Sequence, residues 1–308
     1  MALTTSFAQH LTPIFRDIIG TDFKTADVTY SRVLKTQKTT QHDEDFLHAT
    51  TIPPAVRKDE GAPITFYDPI EGGTKKVKPE SKALGVWVSR EMWDDDLYKS
   101  KSAIRRSAST LSRAYMESVE IDAADIFNSG FTGNTYQTID YEYHSGTTGN
   151  LFDTNHPRLD DSSNTQANEP SSPASLSLSS LRAAMTQFKK WKNDRGIRLM
   201  ATPKILLVPV DLQFRAEELL RSTMKPGTDS NDVNVTKGAV QVVPWTYLTS
   251  ETAWFLLGGN HYLYFFWRQR PQLDSYDDRN TKVAKFTIWG RYKADAIHWH
   301  EAYGSEGA

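Results

Sequence analysis

Two histidines stand two residues apart near the C-terminus, in "KADAIHWHEAYGSEGA": His298, Trp299, His300, then Glu301. On an extended strand alternate side chains share a face, so His298 and His300 point the same way. Two imidazoles with a carboxylate next door are the beginning of a transition-metal site. Such a site needs a third and preferably a fourth ligand, and no partner motif such as HExxH is present. His10, His42, His48, His144, His156 and His261 are scattered through loops and the N-terminal stretch. The competing reading is a strand with one semi-polar face near a domain edge.

A second candidate is "LFDTNHP" (151–157), where Asp153 and His156 have the types of an orienting acid and a general base. The segment also has a local explanation: Asp and Asn make side-chain-to-backbone turns, and Pro157 fixes the exit. No GxSxG, P-loop or strand-linked GxGxxG occurs, and "GGNH" (258–261) reads as a hairpin turn. The basic runs "KKWKNDR" and "AIRRSA" have the types to touch phosphate, but they also read as solvated helix faces.

Composition narrows the classes. The chain has 308 residues, enough for one large domain or two modest ones. Its 36 basic and 38 acidic side chains give a net charge of −2, so no global positive field exists to hold nucleic acid. Cysteine is absent, which excludes disulfides, thiolate metal sites and Cys nucleophiles. Eight Trp and 13 Tyr in a chain that is 24% charged suit either wide surfaces that meet other proteins or an aromatic core. The N-terminus lacks the basic start and apolar run of a signal peptide, and no run approaches the ~20 apolar residues of a bilayer span. A soluble protein made in a cytoplasm is expected, with no cofactor.

The elements that must position these residues read as follows. Residues 1–50 form a polar arm, with Phe7, Leu11, Ile14 and Ile18 at helical spacing and Pro13 interrupting any long helix. "APITFYDPI" and "ALGVWVSRE" alternate around Ile64, Phe66 and Ile70, and around Leu84, Val86 and Val88. They predict a long hairpin with a turn at Gly72 and Gly73 and a basic tip of Lys75, Lys76, Lys78 and Lys82. Asp94, Asp95 and Asp96 suit a helix N-terminus. Ile104, Ala108, Leu111, Tyr115 and Val119 then mark one apolar stripe. A helix over 100–128 is roughly 43 Å long at ~1.5 Å per residue, a strut lying on a sheet.

Loops dominate 131–175. A helix follows over 178–192, a buried strand over 203–212, a helix opened by Asp211, a polar loop over 224–238, and several late strands. The class is α+β.

The order of these parts resembles the tailed-bacteriophage major capsid protein family with the Hong Kong 97 fold. "LFDTNHP", "LSLSSLRAAMTQF", "PKILLVPVDLQFRAEELLRS", "PGTDSNDVN" and the ending "YGSEGA" are similar to one branch of it, the Mu-like major head subunits. The resemblance implies an N-terminal arm at 1–50 and an extended loop (a β-hairpin) at 51–92. It implies a peripheral domain at 93–148 and 256–308, spined by the strut, and an axial domain at 149–255. It implies a structural head subunit without an active site, which builds hexamers and pentamers into an icosahedral shell around double-stranded DNA.

The implied partners are other copies, a portal, and separate scaffolding or decoration proteins, with no membrane. The implied location is the virion, after assembly in the host cytoplasm. In the family the extended loop lies across an adjacent subunit. Lys75, Lys76, Lys78 and Lys82 are therefore expected to meet the acids Glu91, Asp94, Asp95 and Asp96 of a neighbour. Two rivals remain open here: a metal-dependent enzyme using His298, His300 and Glu301, and a cellular cargo-enclosing shell of the same fold.

Overall fold

A computed structural model describes residues 7–25, 27–49, 51–69, 71–95, 102–132, 150–158, 160–224, 233–278 and 280–308. In chain order the elements are α1 (Phe7–Thr25), α2 (Tyr30–Val33), β1 (Lys35–Lys38), β2 (Glu44–Ala49), β3 (Glu71–Val77), β4 (Glu80–Ser89), α3 (Arg90–Asp95) and α4 (Ser102–Asn128). There follow β5 (His156–Pro157), β6 (Thr165–Gln166), α5 (Leu178–Lys190), β7 (Pro203–Val208), a 3-10 turn (Val210–Leu212) and α6 (Gln213–Arg221). The chain closes with β8 (Gln241–Pro244), β9 (Trp254–Gly258), β10 (Tyr262–Asp278), β11 (Val283–His298) and β12 (Ala302–Ser305).

Two four-stranded sheets carry the fold. The long sheet has the order β1-β10-β11-β4, with β1 parallel to β10 and the other pairs antiparallel. The second has the order β12-β9-β7-β8, with β7 and β8 parallel and α6 in the crossover between them. Along β11 exposure alternates strictly up to Tyr292, as a sheet with one covered face requires. The cover is α4, whose stripe of Ala108, Leu111, Tyr115 and Val119 is buried as the periodicity predicts. At Gly290 the helix comes close: a Cβ there would lie 2.3 Å from the Tyr115 hydroxyl.

Several expectations change. α1 runs through Pro13 as a continuous 19-residue helix. Its lost hydrogen bond is offset by packing, since Leu11, Phe15 and Ile19 are buried. Phe15 stacks on Phe286 of β11 with centroids 3.8 Å apart. The N-terminal stretch thus finds its supporting surface on the chain's own sheet.

The hairpin between 64–70 and 84–88 does not form. Residues 64–69 lie outside any strand, β3 pairs with β2, and β4 joins the long sheet beside β11. The reason is burial: Val88 of β4 reaches the core beneath α4, which a free ribbon cannot offer it. Gly72 and Gly73 are strand residues of β3, not a turn. The run 203–212 stops being a strand at Val208 and turns through the 3-10 segment. "GGNH" is no hairpin turn either, because β9 and β10 lie in different sheets and the segment is the crossing between them.

Asp96, the side chains of Asp94 and Ile104, and residues 225–232 of the polar loop lie outside the described residues. Among the described residues, no helix is long and apolar enough to cross a membrane.

Candidate functional site

The "HWHE" stretch sits where the two sheets exchange chain. β11 ends at His298, residues Trp299–Glu301 cross over, and β12 enters the second sheet. The two imidazoles do meet, though only His298 is a strand residue: their Nδ1 atoms are 2.6 Å apart and their rings stack at 4.2 Å. The stack continues through Trp299, 3.9 Å from the His300 ring, to His156, 4.5 Å beyond at an angle of 10°. Trp191 meets Trp299 edge-on at 5.8 Å. All five rings are buried. His300 Nε2 donates to Lys192 O at 3.2 Å, and Asn168 Oδ1 lies 2.9 Å from His156 Nε2.

Glu301 does not join them. It adopts φ 61°, and its Oε2 accepts from the Asn260 N–H at 2.7 Å. Its carbonyl accepts from the Gly258 N–H at 2.8 Å. A Cβ on Gly258 would stand 2.3 Å from that same Oε2, so glycine is what lets the two crossings lie side by side. Among the described residues, no group of three or more His, Asp or Glu is arranged to hold a metal ion. The arrangement is a packed aromatic joint.

The "LFDTNHP" loop belongs to the same joint. Asp153 Oδ1 accepts from the Asn155 N–H at 2.9 Å, the local turn its type suggests. The organiser is Asn168, fully buried, which sequence reasoning missed. Its Nδ2 donates to Leu151 O at 2.8 Å and Ala302 O at 3.1 Å, and its Oδ1 accepts from the Asp153 N–H at 2.8 Å. Nothing in "TQANEP" distinguishes it from a solvated loop asparagine.

Glu120 was missed too. Its Oε1 accepts from the Thr29 and Tyr30 N–H groups at 2.7 and 3.2 Å, and its Oε2 from Trp245 Nε1 at 2.7 Å. It pins α2 and the 245 segment to α4, and burial raises its pKa above the ordinary carboxylate value. The signal was present in the sequence: Glu120 stands three and four residues before Ala123 and Ala124, on the margin of the apolar stripe.

The lysines are dispersed. Lys75 Nζ lies 3.4 Å from Asp295 Oδ1 in a pair almost wholly buried, which docks β3 on β11. Burial raises the Asp295 pKa against the opposing pull of Lys75 and Lys293. Lys82 is 3.3 Å from Asp122, whose other contact is the Tyr292 hydroxyl at 2.7 Å. Lys76 faces Asp45 across the β2–β3 ribbon at 3.9 Å, in the open. Lys78, Glu91 and Asp95 are exposed.

Several large apolar side chains remain uncovered. Trp87 on the edge strand β4 is 65% exposed, and Tyr276 of β10 and Trp289 of β11 also reach the sheet's open face. Residues 51–69 leave the body as a loop whose two ends are clipped by one side chain. Arg195 Nε donates to Thr51 O at 3.3 Å and its Nη2 to Asp68 O at 2.9 Å. Between them Ile52, Val56, Ile64 and Phe66 are exposed.

A two-sheet body with a long helical strut, a clipped loop and aromatics exposed on one sheet face has the make-up of a structural subunit, with surface suited to association. The comparisons give that class its particular form. A family model described as phage capsid protein matches residues 72–304, and the chain belongs to that family. Solved structures share the fold, which is the Hong Kong 97 type.

A chain from Microbacterium phage Oxtober96 matches with a TM-score of 0.54 at 9% identity, covering 91% of each chain. The capsid of bacteriophage JBD30 decorated with minor capsid protein trimers matches at 0.55 and 17% identity, over 80% of this chain and 97% of that one. A virus-like particle from Pyrococcus furiosus matches at 0.51 and 9% identity, over 98% of this chain and 100% of that one. No curated protein matches the chain. The protein is a structural capsid shell protein, and the metal-enzyme and cellular-compartment readings are not favoured.

Proposed function

We propose that copies of this chain form hexamers and pentamers that close into an icosahedral shell around double-stranded DNA. The observation that carries the reading is the family match over 72–304, joined to an aromatic sheet face left bare by the chain itself. A near-neutral balance of 36 basic and 38 acidic groups suits a container, because a strongly basic wall would hold DNA as it slid in. Assembly in a host cytoplasm, a portal, and separate scaffolding or decoration proteins belong to the same proposal.

Within it, 1–50 is the arm, 51–92 the extended loop, 93–148 with 256–308 the peripheral domain, and 149–255 the axial domain. On these bounds β2, at the end of the arm, pairs with β3 of the extended loop. Lysine-to-acid docking between neighbours then rests on exposed Lys78, with Lys76 exchanging its open 3.9 Å contact to Asp45, against Glu91 and Asp95, since Lys75 and Lys82 face acids of their own chain. Each exposed pair contributes ~0.2–1 kcal/mol.

Negative-stain images of the purified protein test the assignment. Shells, tubes or five- and six-membered rings are expected. A compact small oligomer at every protein concentration would overturn it.

A further inference from the structure

Residues 51–69 have little of their own to hold them in place. They form no helix or strand, and their large apolar side chains Ile52, Val56, Ile64 and Phe66 are exposed. Among the described residues, the loop makes three hydrogen bonds to the rest of the chain, and all three run to one turn. Two come from the Arg195 guanidinium to Thr51 O and Asp68 O. The third runs from Asn193 Nδ2 to Thr51 Oγ1 at 2.7 Å.

That turn is rigid. Lys192 and Arg198 pair across it, and Gly196 takes φ 76° at its tip. Asn193 Oδ1 accepts from the N–H groups of Arg195 and Ile197 at 3.1 and 2.9 Å, so the backbone that carries the guanidinium is fixed. The turn is also tied to the aromatic joint. Lys192 N–H donates to Gln166 Oε1 at 2.7 Å, and His300 Nε2 donates to Lys192 O.

The same stretch of chain has a second anchor of another kind. Just past the loop, β3 is docked on β11 by the buried pair of Lys75 and Asp295. The Arg195 anchor grips two neutral carbonyls of exposed residues instead. Water replaces a bond to an exposed carbonyl at small net cost, so this anchor is the one that opens by local fluctuation.

We infer that Arg195 is a clasp: closed, it fixes the 51–69 loop against the joint, and open, it leaves the loop swinging from the β2–β3 ribbon alone. The closed clasp holds Ile52, Val56, Ile64 and Phe66 in one place, which lowers the entropy lost when they are covered. Both anchors lie within one copy, so the clasp does not depend on the shell.

The chain has no cysteine, so introduced thiols are the only ones to take a label. Asp59→Cys at the exposed loop tip and Ala183→Cys on the outer face of α5 carry nitroxides, with labelled chains diluted among unlabelled ones. Pulsed electron resonance then reads the distance within one copy. With Arg195 present, one narrow distribution is expected. Arg195→Met has similar length and no donor, and is expected to widen the distribution by about twofold or more while the melting temperature stays within about 2 °C. Arg195→Lys offers a point charge in place of the two-pronged donor and is expected to fall between the two. A broad distribution with Arg195 present, or an unchanged width in Arg195→Met, overturns the clasp.

Trypsin gives the second measurement, because Arg57 and Lys58 lie inside the loop and are exposed. Cleavage there is expected to speed up by about fivefold in Arg195→Met with cleavage elsewhere unchanged. Equal acceleration at sites throughout the chain would mean general loosening and would overturn the clasp.

Discussion

The two sheets are built to different rules. In the second, β9 and β12 are buried at every residue, and β7 is buried over its last three. Their sequences, "WFLLG", "AYGS" and "KILLV", are runs without alternation. In the long sheet, β11 alternates buried and half-buried positions, and β4 is mostly exposed, with Trp87 in the open. A strand covered on both faces needs nothing from outside. A sheet covered on one face keeps the other for solvent or for a neighbour, and on the shell reading the aromatic edge at Trp87 is where a neighbour lies. The difference separates a part of the subunit whose strands are enclosed from a part with a free face.

Opposite substitutions on the two faces of the long sheet break or support that division most directly. Leu111→Ala, on the covered side, is expected to cost ~2–5 kcal/mol in urea unfolding, and Leu111→Asp to leave the chain insoluble. Trp87→Ser, on the open side, is expected to leave subunit stability within ~0.5 kcal/mol and to lower the yield of particles. Equal losses of stability at the two positions would erase the distinction.

The joint between the sheets comes next. Asn168→Leu leaves Leu151 O, Ala302 O and the Asp153 N–H without their side-chain partner. Buried groups orphaned in this way cost ~1–3 kcal/mol each, reduced where water enters, so a loss of about 3 kcal/mol is expected. The melting temperature checks it, and an unchanged value would remove Asn168 from the joint.

Gly290→Ala tests the fit of helix on sheet. It drives a methyl against the Tyr115 hydroxyl, with an expected cost of ~1–3 kcal/mol. That hydroxyl is buried and has no hydrogen-bond partner among the described residues. Tyr115→Phe should therefore be nearly neutral alone and should recover part of the loss in the double variant.

The smallest expected effects are two pH slopes of opposite sign. Burial, with Asp153 and Glu306 nearby, pushes Glu169 beside the second sheet from 4.5 up to about 7. The stability tied to its neutral form is full below pH 4.5 and is lost as pH rises through about 7. Burial, with Lys35 nearby, lowers His261 at the start of β10 from 6.5 to about 4. Its contribution is full above pH 6.5 and is lost as pH falls through about 4. Glu169→Gln should flatten the alkaline side of the stability curve and His261→Gln the acid side. Exchanged outcomes would contradict both environments.

Much of this was legible in the chain, for identifiable reasons. The α4 stripe and the unbroken apolar runs of β7 and β9 each bury a face in a regular period, and a period survives translation into sequence. Partner choice does not. "APITFYDPI" alternates as well as "ALGVWVSRE", yet only the second finds a covered face, because the choice depended on the distant β11. Pro13 was over-weighted, since a lost hydrogen bond is local and the packing of Phe15 on Phe286 is not. The place of the joint was legible in its residue types: "HWHE" drew attention to it, although neither the semi-polar strand nor the rival metal site weighed there foresaw the ring stack. Asn168, whose partners lie from 12 to 134 residues away, and Asn260, 41 residues from Glu301, carried no local sign.

The two crossings tied by Glu301 have a mechanical consequence. Chain passes between the sheets at 259–261 and again at 299–301, and the two strips lie flank to flank, bonded to each other. A single strip would act as a swivel. Two parallel strips resist torsion through covalent bonds. Bending is opposed as well, by the hydrogen bonds of Glu120 to Trp245 and of Asn128 to Tyr247 O, by the contacts of Phe127 with Trp245 and Phe255, and by the one core that runs through both sheets. The two halves of the subunit are therefore strapped and glued at once, the end of α4 serving as the brace across the joint.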